Sequence, residues 1–358
     1  MRVCLVTSRY PPHAGGVETH VAALATRLAD RGHDVTVRTG DRELVGTDAV
    51  AELGTAPRER RHGVDVRRHR SLAPGGAFHV APGIAPALRR SDPDVVHAHN
   101  YHSLPLLFAA LGRAPGVPLV ATPHYHGGSA DALRDRLLTA YEPLGGWALR
   151  RADAAVAVSG WERDVLARDL GVDATVVPNG VEVERFAGAD PARRDRPYLL
   201  AVGRLEGYKH VQDAVRALVE LPEFDLLVAG TGPAREDLAA AAHSAGVADR
   251  VEFLGFVAEE RLPGLYAGAA AHVQLSAFEA YGVTVAEALA AGTPCVVSTE
   301  AALADWAERD DCVGVADRSP AAVAAAVRDA VTRDAPAEPL PTWEGVVDEV
   351  LAVYERVQ

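Results

Sequence analysis
Short apolar runs alternate with helix-spaced segments along almost the whole chain. The runs are Val3–Val6, Val35–Val37, Val95–His97, Leu119–Ala121 and Ala155–Val158, then Tyr198–Val202, Leu226–Val228, Val251–Leu254, His272–Leu275 and Cys295–Val297. Strands that stay apolar, separated by roughly 10–15 residues of helical pattern, predict parallel sheets covered by helices on both faces. The alternation breaks at the Pro178-Asn179-Gly180 turn and in the Pro- and Arg-rich segment 187–197, so a domain boundary is expected there. The predicted architecture is α/β, with two doubly wound, Rossmann-like domains over 1–178 and 179–341 facing a cleft. A last helix over 342–358 puts Val346, Val347, Val350, Leu351 and Tyr354 on one face and is expected to pack back toward the first domain.

At 358 residues the chain suits two cores better than one. A net charge of −13 disfavours bulk nucleic-acid binding, and no apolar run approaches the ~18 residues of a membrane span. Met1–Thr7 is too short an apolar run for a signal peptide, so a cytoplasmic protein is expected. Cys4, Cys295 and Cys312 lack the spacing of a metal knuckle and are expected as reduced, buried thiols. Lys209 is the only lysine among 36 basic residues. A chain that otherwise uses arginine has placed it close to Arg204, beyond a strand end.

Ligands of parallel sheets gather beyond the carboxyl ends of strands, and the candidate chemistry lies there. Pro11-Pro12-His13-Ala14-Gly15-Gly16-Val17-Glu18 joins the first strand to a helix marked by Val17, Val21, Leu24 and Leu28; paired glycines before a helix start form an anion cradle or simply a tight loop. Residues 58–70 are locally basic and read either as a solvated strand pair or as a patch for anionic lipid headgroups at the inner face of a membrane. His97-Ala98-His99 and His124-Tyr125-His126 end two strands. Strand geometry sends the members of each pair to one side, so four imidazoles could converge on a metal, or could instead donate hydrogen bonds to a ligand. Arg204 and Lys209 supply a fork and a point charge suited to a diphosphate leaving group. In 276–297 two carboxylates, Glu279 and Glu287, bracket a turn at Gly282 that opens a helix; free amides there suit phosphate and the carboxylates suit sugar hydroxyls.

With these residues laid out, the chain resembles the retaining, nucleotide-sugar-dependent glycosyltransferases of family 4, which have the GT-B architecture, over nearly its whole length. The resemblance rests on Gly15-Gly16-Val17-Glu18, Asp94–His99, Thr122–His124, Val158-Ser159, Val177–Val181, Gly203-Arg204-Leu205 with Lys209, Gly230–Pro233, Pro263–Tyr266 and the pair Glu279/Glu287. It implies a hexosyltransferase-like enzyme moving a sugar from a UDP-, GDP- or similar nucleotide-diphosphate sugar to a hydroxyl of a glycolipid, polysaccharide, glycan or small molecule, with no cofactor and no essential metal. Arg204 and Lys209 would grip the diphosphate with amides of Gly15, Gly16, Gly282, Val283 and Thr284. Glu279 would hold the transferred sugar, Glu287 the ribose, and His124 would approach the reacting carbon, with His99 and Glu18 on the acceptor side. An epimerase or phosphorylase on the same fold, a metal-dependent hydrolase built on the histidines, and a sugar-nucleotide-binding regulator without chemistry are the other readings. Three positions depart from the family: His210 where glycine often follows the lysine, Ala280-Tyr281 before Gly282, and Ser298–Trp306, which lacks a glycine-rich turn followed by glutamate.

Overall fold
The computed structural model describes residues 1–13, 15–45, 49–52, 56–72, 80–127 and 132–358. They form two compact units, Met1–Gly180 with Trp343–Gln358, and Val181–Thr342. The Pro178-Asn179-Gly180 turn thus belongs to the first unit, where a side chain on Gly180 would meet the Trp343 ring at 2.6 Å. All ten runs read as strands from the sequence are strands.

The sheet of the first unit runs, edge to edge, through Thr175–Val176, Ala154–Ala157, Leu119–Thr122, Val95–His99, Arg2–Val6, Asp34–Gly40, Val64–His69 and Arg58–Arg61. Every pairing is parallel except the last, an antiparallel hairpin. The buried faces are aliphatic: Val3, Leu5, Val35, Val37, Val64, Val66 and Val95 pack against Val21, Leu24 and Leu28 of the helix Gly16–Asp30. Into the same core the helix Trp343–Val357 inserts Trp343, Val346, Val347, Val350, Val353 and Tyr354. Leu351, expected on that face, is only partly buried; Val353 takes its place.

The second unit is a six-stranded parallel sheet ordered Val251–Gly255, Asp225–Ala229, Tyr198–Val202, Ala271–Gln274, Cys295–Ser298 and Cys312–Val315. Chain order across it is 3-2-1-4-5-6, the doubly wound order whose direction reverses beside its first strand. The first unit reverses in the same way between Arg2–Val6 and Val95–His99. Each sheet therefore has one crevice beyond its strand ends at that reversal, where ligands of such sheets bind. Cys4, Cys295 and Cys312 are buried and unpaired. No helix among the described residues is long and apolar enough to cross a membrane.

Candidate functional site
In the second unit the residues beyond the strands at the reversal line one hollow. Gly203 and Arg204 follow Tyr198–Val202, Gln274 ends Ala271–Gln274, and Lys209 and His210 close the side. Gly203 adopts φ 142, a conformation that favours glycine, and a side chain on Gly230 would meet the Gly203 carbonyl oxygen at 1.8 Å, so at Gly230 the close approach leaves no room for a Cβ. Lys209 reaches the hollow through a single 3₁₀ turn, Gly207–Lys209. His210, which follows it, has the left-handed φ 54 that glycine adopts without cost.

Lys209 Nζ ion-pairs with Glu279 Oε1, both side chains being less than one-fifth exposed. Burial works to lower the Lys209 pKa, but the Glu279 carboxylate, with Tyr208 beside it, outweighs that and raises it, so the ammonium is charged at neutral pH. Gln274 Nε2 donates to the same Glu279 oxygen at 2.6 Å, and Thr284 Oγ1 donates to Gln274 Oε1 at 3.3 Å. The network runs from the lysine to the first turn of the helix Val283–Ala290. That helix opens on Gly282 at φ 100, and its first amides have no partner within the helix. Arg204 is 60% exposed and ion-pairs with Glu206 at 2.9 Å, leaving much of its guanidinium toward solvent.

Glu287 does not join Glu279. It lies on the helix Val283–Ala290 and accepts the Tyr266 hydroxyl at 2.9 Å. Burial pushes its pKa up to about 7, although the Tyr266 bond and Arg185 pull the other way. The segment Ser298–Trp306 braces the turn that carries Glu279. Ala302 N–H donates to the Glu279 carbonyl at 3.2 Å, Trp306 Nε1 to the Tyr281 carbonyl at 2.5 Å and Ser298 Oγ to the Ser276 carbonyl at 2.6 Å. Ala301 there has φ 50, the conformation a glycine-rich turn would supply.

In the first unit, Gly15 and Gly16 begin the helix Gly16–Asp30 at the sheet reversal; Ala14 lies outside the described residues. Glu18 is buried and paired with Arg9 at 2.9 Å, with its carboxylate against Gly15. Its charge is spent within the protein and shapes this loop.

The four histidines of the two strand-end pairs do not converge. His97 and His99 share a side, as strand alternation requires, with ring centroids 4.2 Å apart. His97 is occupied, one ring nitrogen on Tyr354 Oη and the other on Thr122 Oγ1, both at 2.7 Å. Pro123 ends the next strand and His124 turns to φ 48, so alternation fails and His126 stacks on His102 at 4.0 Å instead. The residue that meets His99 and His124 is His20, with centroids 5.6 and 5.1 Å away. The sequence carries a signal for His20: it stands four residues before Leu24 on the buried face of its helix. Burial lowers the pKa of His20 to about 4 and those of His99 and His124 well below the usual imidazole range, so all three are neutral at pH 7. Glu162 was not singled out by sequence. It accepts the Tyr125 and Val158 amides at 2.5 and 2.6 Å and so fixes the turn bearing His124; burial pushes its pKa up to about 8.

The basic segment is a strand pair in which three of the six arginines are tied to carboxylates within it. Arg58 and Arg67 both bond Asp65, and buried Arg68 holds Glu59 and the Pro11 carbonyl. Arg60, Arg61 and Arg70 remain exposed.

Two family models match the chain: Glycosyltransferase Family 4 over residues 14–185 and Glycosyl transferases group 1 over 183–339. Glycogen synthase of Mycobacterium tuberculosis is 32% identical, the match covering 94% of this chain and 88% of that protein. A GDP-mannose-dependent alpha-(1-6)-phosphatidylinositol dimannoside mannosyltransferase of the same species is 29% identical over 93% of this chain and 88% of its own. Among solved structures, Anabaena HepE in complex with UDP and glucose superposes with a TM-score of 0.76 at 17% identity, covering 99% of both chains. Sucrose-phosphate synthase from Thermosynechococcus elongatus superposes at 0.74 and 19%, covering 100% and 99%.

Proposed function
Since the chain belongs to the group 1 glycosyltransferases of family 4, with the GT-B fold, we propose that it transfers a sugar from a nucleotide-diphosphate donor to an acceptor hydroxyl, with retention at the anomeric carbon and without a metal ion. The observation that carries this reading is the charged Lys209–Glu279 pair in the hollow that Arg204 also lines. A cation held beside a carboxylate in one crevice can bind the two ends of a sugar diphosphate at once. Lys209 and the largely exposed guanidinium of Arg204 would meet the diphosphate, helped by the Gly282, Val283 and Thr284 amides. Glu279 would accept hydrogen bonds from the sugar, and Glu287 from the ribose.

As the bond from the anomeric carbon to the phosphate oxygen breaks, its electron pair leaves with the diphosphate. Lys209 and Arg204 stabilise that growing charge, the part a divalent ion plays elsewhere. The acceptor oxygen bonds to the same face of the carbon, and its proton passes to the departing phosphate oxygen. In the first unit, His124 and His99 would address the sugar and acceptor, while Gly15 and Gly16 offer amides at their own crevice. Arg60, Arg61 and Arg70 would serve contact with an anionic membrane face.

The test is incubation of the metal-stripped protein with UDP- and GDP-sugars and a panel of glycosyl acceptors, with the product's anomeric configuration read by proton NMR. Transfer in EDTA with the donor's configuration kept is expected. Donor conversion without acceptor, a requirement for free phosphate, or an inverted product would overturn the reading.

A further inference from the structure
Three buried imidazoles of the first unit present ring nitrogens that the protein leaves unbonded. His20 comes from the helix Gly16–Asp30, His99 from the end of Val95–His99 and His124 from the turn after Leu119–Thr122. His20 Nδ1, both nitrogens of His99 and His124 Nε2 are buried without a hydrogen-bond partner. Unsatisfied polar atoms in such a cluster call for an occupant, an ordered water or an ion. One nitrogen from each ring lies within 4.8 Å of the others, and the centroids stand 5.1, 5.6 and 5.8 Å apart. Three imidazoles bound at ~2.0–2.1 Å to one tetrahedral ion would stand their centroids about 5 Å apart.

The donor chemistry narrows the occupant. A neutral imidazole nitrogen has a lone pair to give to an ion, and these buried nitrogens carry no hydrogen bond from the protein. The cluster contains no carboxylate, which disfavours magnesium and calcium, whereas imidazole nitrogens suit zinc, copper and nickel. Neighbouring rings hold two of the three imidazoles in place: Trp343 packs against His20 at 5.3 Å, and His97, itself fixed at both nitrogens, lies tilted against His99 at 4.2 Å.

We propose that His20, His99 and His124 form a three-nitrogen site for a divalent transition-metal ion of the zinc class, and that its occupation inhibits the enzyme by taking the His124 nitrogen. The inhibitory half rests on the function proposed above; the binding half does not.

Cobalt(II) as a spectroscopic probe, and zinc by equilibrium dialysis, are titrated into the EDTA-stripped full chain. One equivalent should bind with the visible absorption of tetrahedral cobalt. His20→Gln and His99→Gln should each weaken binding by roughly a hundredfold, while His62→Gln, at an exposed hairpin turn, should not. Far-UV circular dichroism establishes folding, and the two ligand variants stand independently should one fail to fold. No stoichiometric binding, or binding indifferent to His20 and His99, overturns the site. Zinc that binds there yet leaves transfer unchanged overturns the inhibition. Normal binding in a protein that turns over no nucleotide sugar would instead sink the transferase reading and leave the site standing.

Discussion

Lys209 shows how far one residue can be followed. Its isolation in an arginine-rich chain marked it in the sequence, and the structure adds what spacing could not: Glu279, seventy positions on, is its ion-pair partner. The roles given to Lys209 and Arg204 lead to a kinetic expectation. Either residue replaced by alanine should lower kcat about 10²-fold, the scale of losing one charge-stabilising group, as measured with saturating donor. Glu287 gives a pH dependence. Burial holds its pKa up at about 7, so acid protonates the carboxylate and exchanges the charged acceptor proposed for the ribose for a weaker neutral one. Nucleoside diphosphate affinity should fall as pH drops below 7 and level off roughly tenfold lower, the scale of one hydrogen bond to a charged group, and Glu287→Gln should abolish that dependence in calorimetric titrations between pH 5.5 and 8.

At the scale of elements, what the sequence made legible were the features that local rules govern. Apolar runs gave the strands, and the valine and tyrosine spacing gave the last helix. The histidines escaped because their meeting is not local. Pro123 and the left-handed His124 end the alternation that would have aimed His126 beside it, and His20 arrives from a helix far off in sequence. Glu162 escaped for a like reason, since its Tyr125 partner is distant in sequence, whereas Gln274 bonds Glu279 only five residues on, across a turn whose geometry spacing does not give. Ser298–Trp306, which departs from the family pattern, still braces the Glu279–Gly282 turn. This element yields a paired test by urea denaturation. Gly282→Ala would force a Cβ to 2.9 Å from Leu303 at φ 100 and should cost about 1–2 kcal/mol. Ala301→Gly, relieving φ 50, should be neutral or stabilise by up to about 1 kcal/mol.

Across the whole molecule, buried titratable groups of opposite sign set the response to pH. His20, His97, His99, His124 and His272 all titrate lower in the fold than the ~6.5 of an unfolded chain, because burial penalises their charged forms. Below pH ~6.5 the unfolded chain therefore binds more protons, and stability is lost as pH falls, by up to about 1.4 kcal/mol per group per unit. Glu162 and Glu287 work the other way. Raised to about 8 and about 7, they hold protons in the fold that the unfolded chain releases above ~4.3, so their contribution declines as pH rises to those values. Five imidazoles outweigh two carboxyls on the acid side. The melting temperature should peak near pH ~6.5, fall steeply toward pH 5 and decline gently toward pH 8.

Calorimetric titration of UDP and GDP into the EDTA-treated protein and into Lys209→Ala asks most directly whether the cations of the second unit hold the diphosphate. Saturable binding of at least one nucleotide, weakened roughly a hundredfold by the substitution, is the expected result; a charge-assisted hydrogen bond of about 1.5–3 kcal/mol supports that scale. Equal affinity in the two proteins, or binding that appears only when a divalent metal is restored, would contradict a metal-free grip by Lys209 and Arg204.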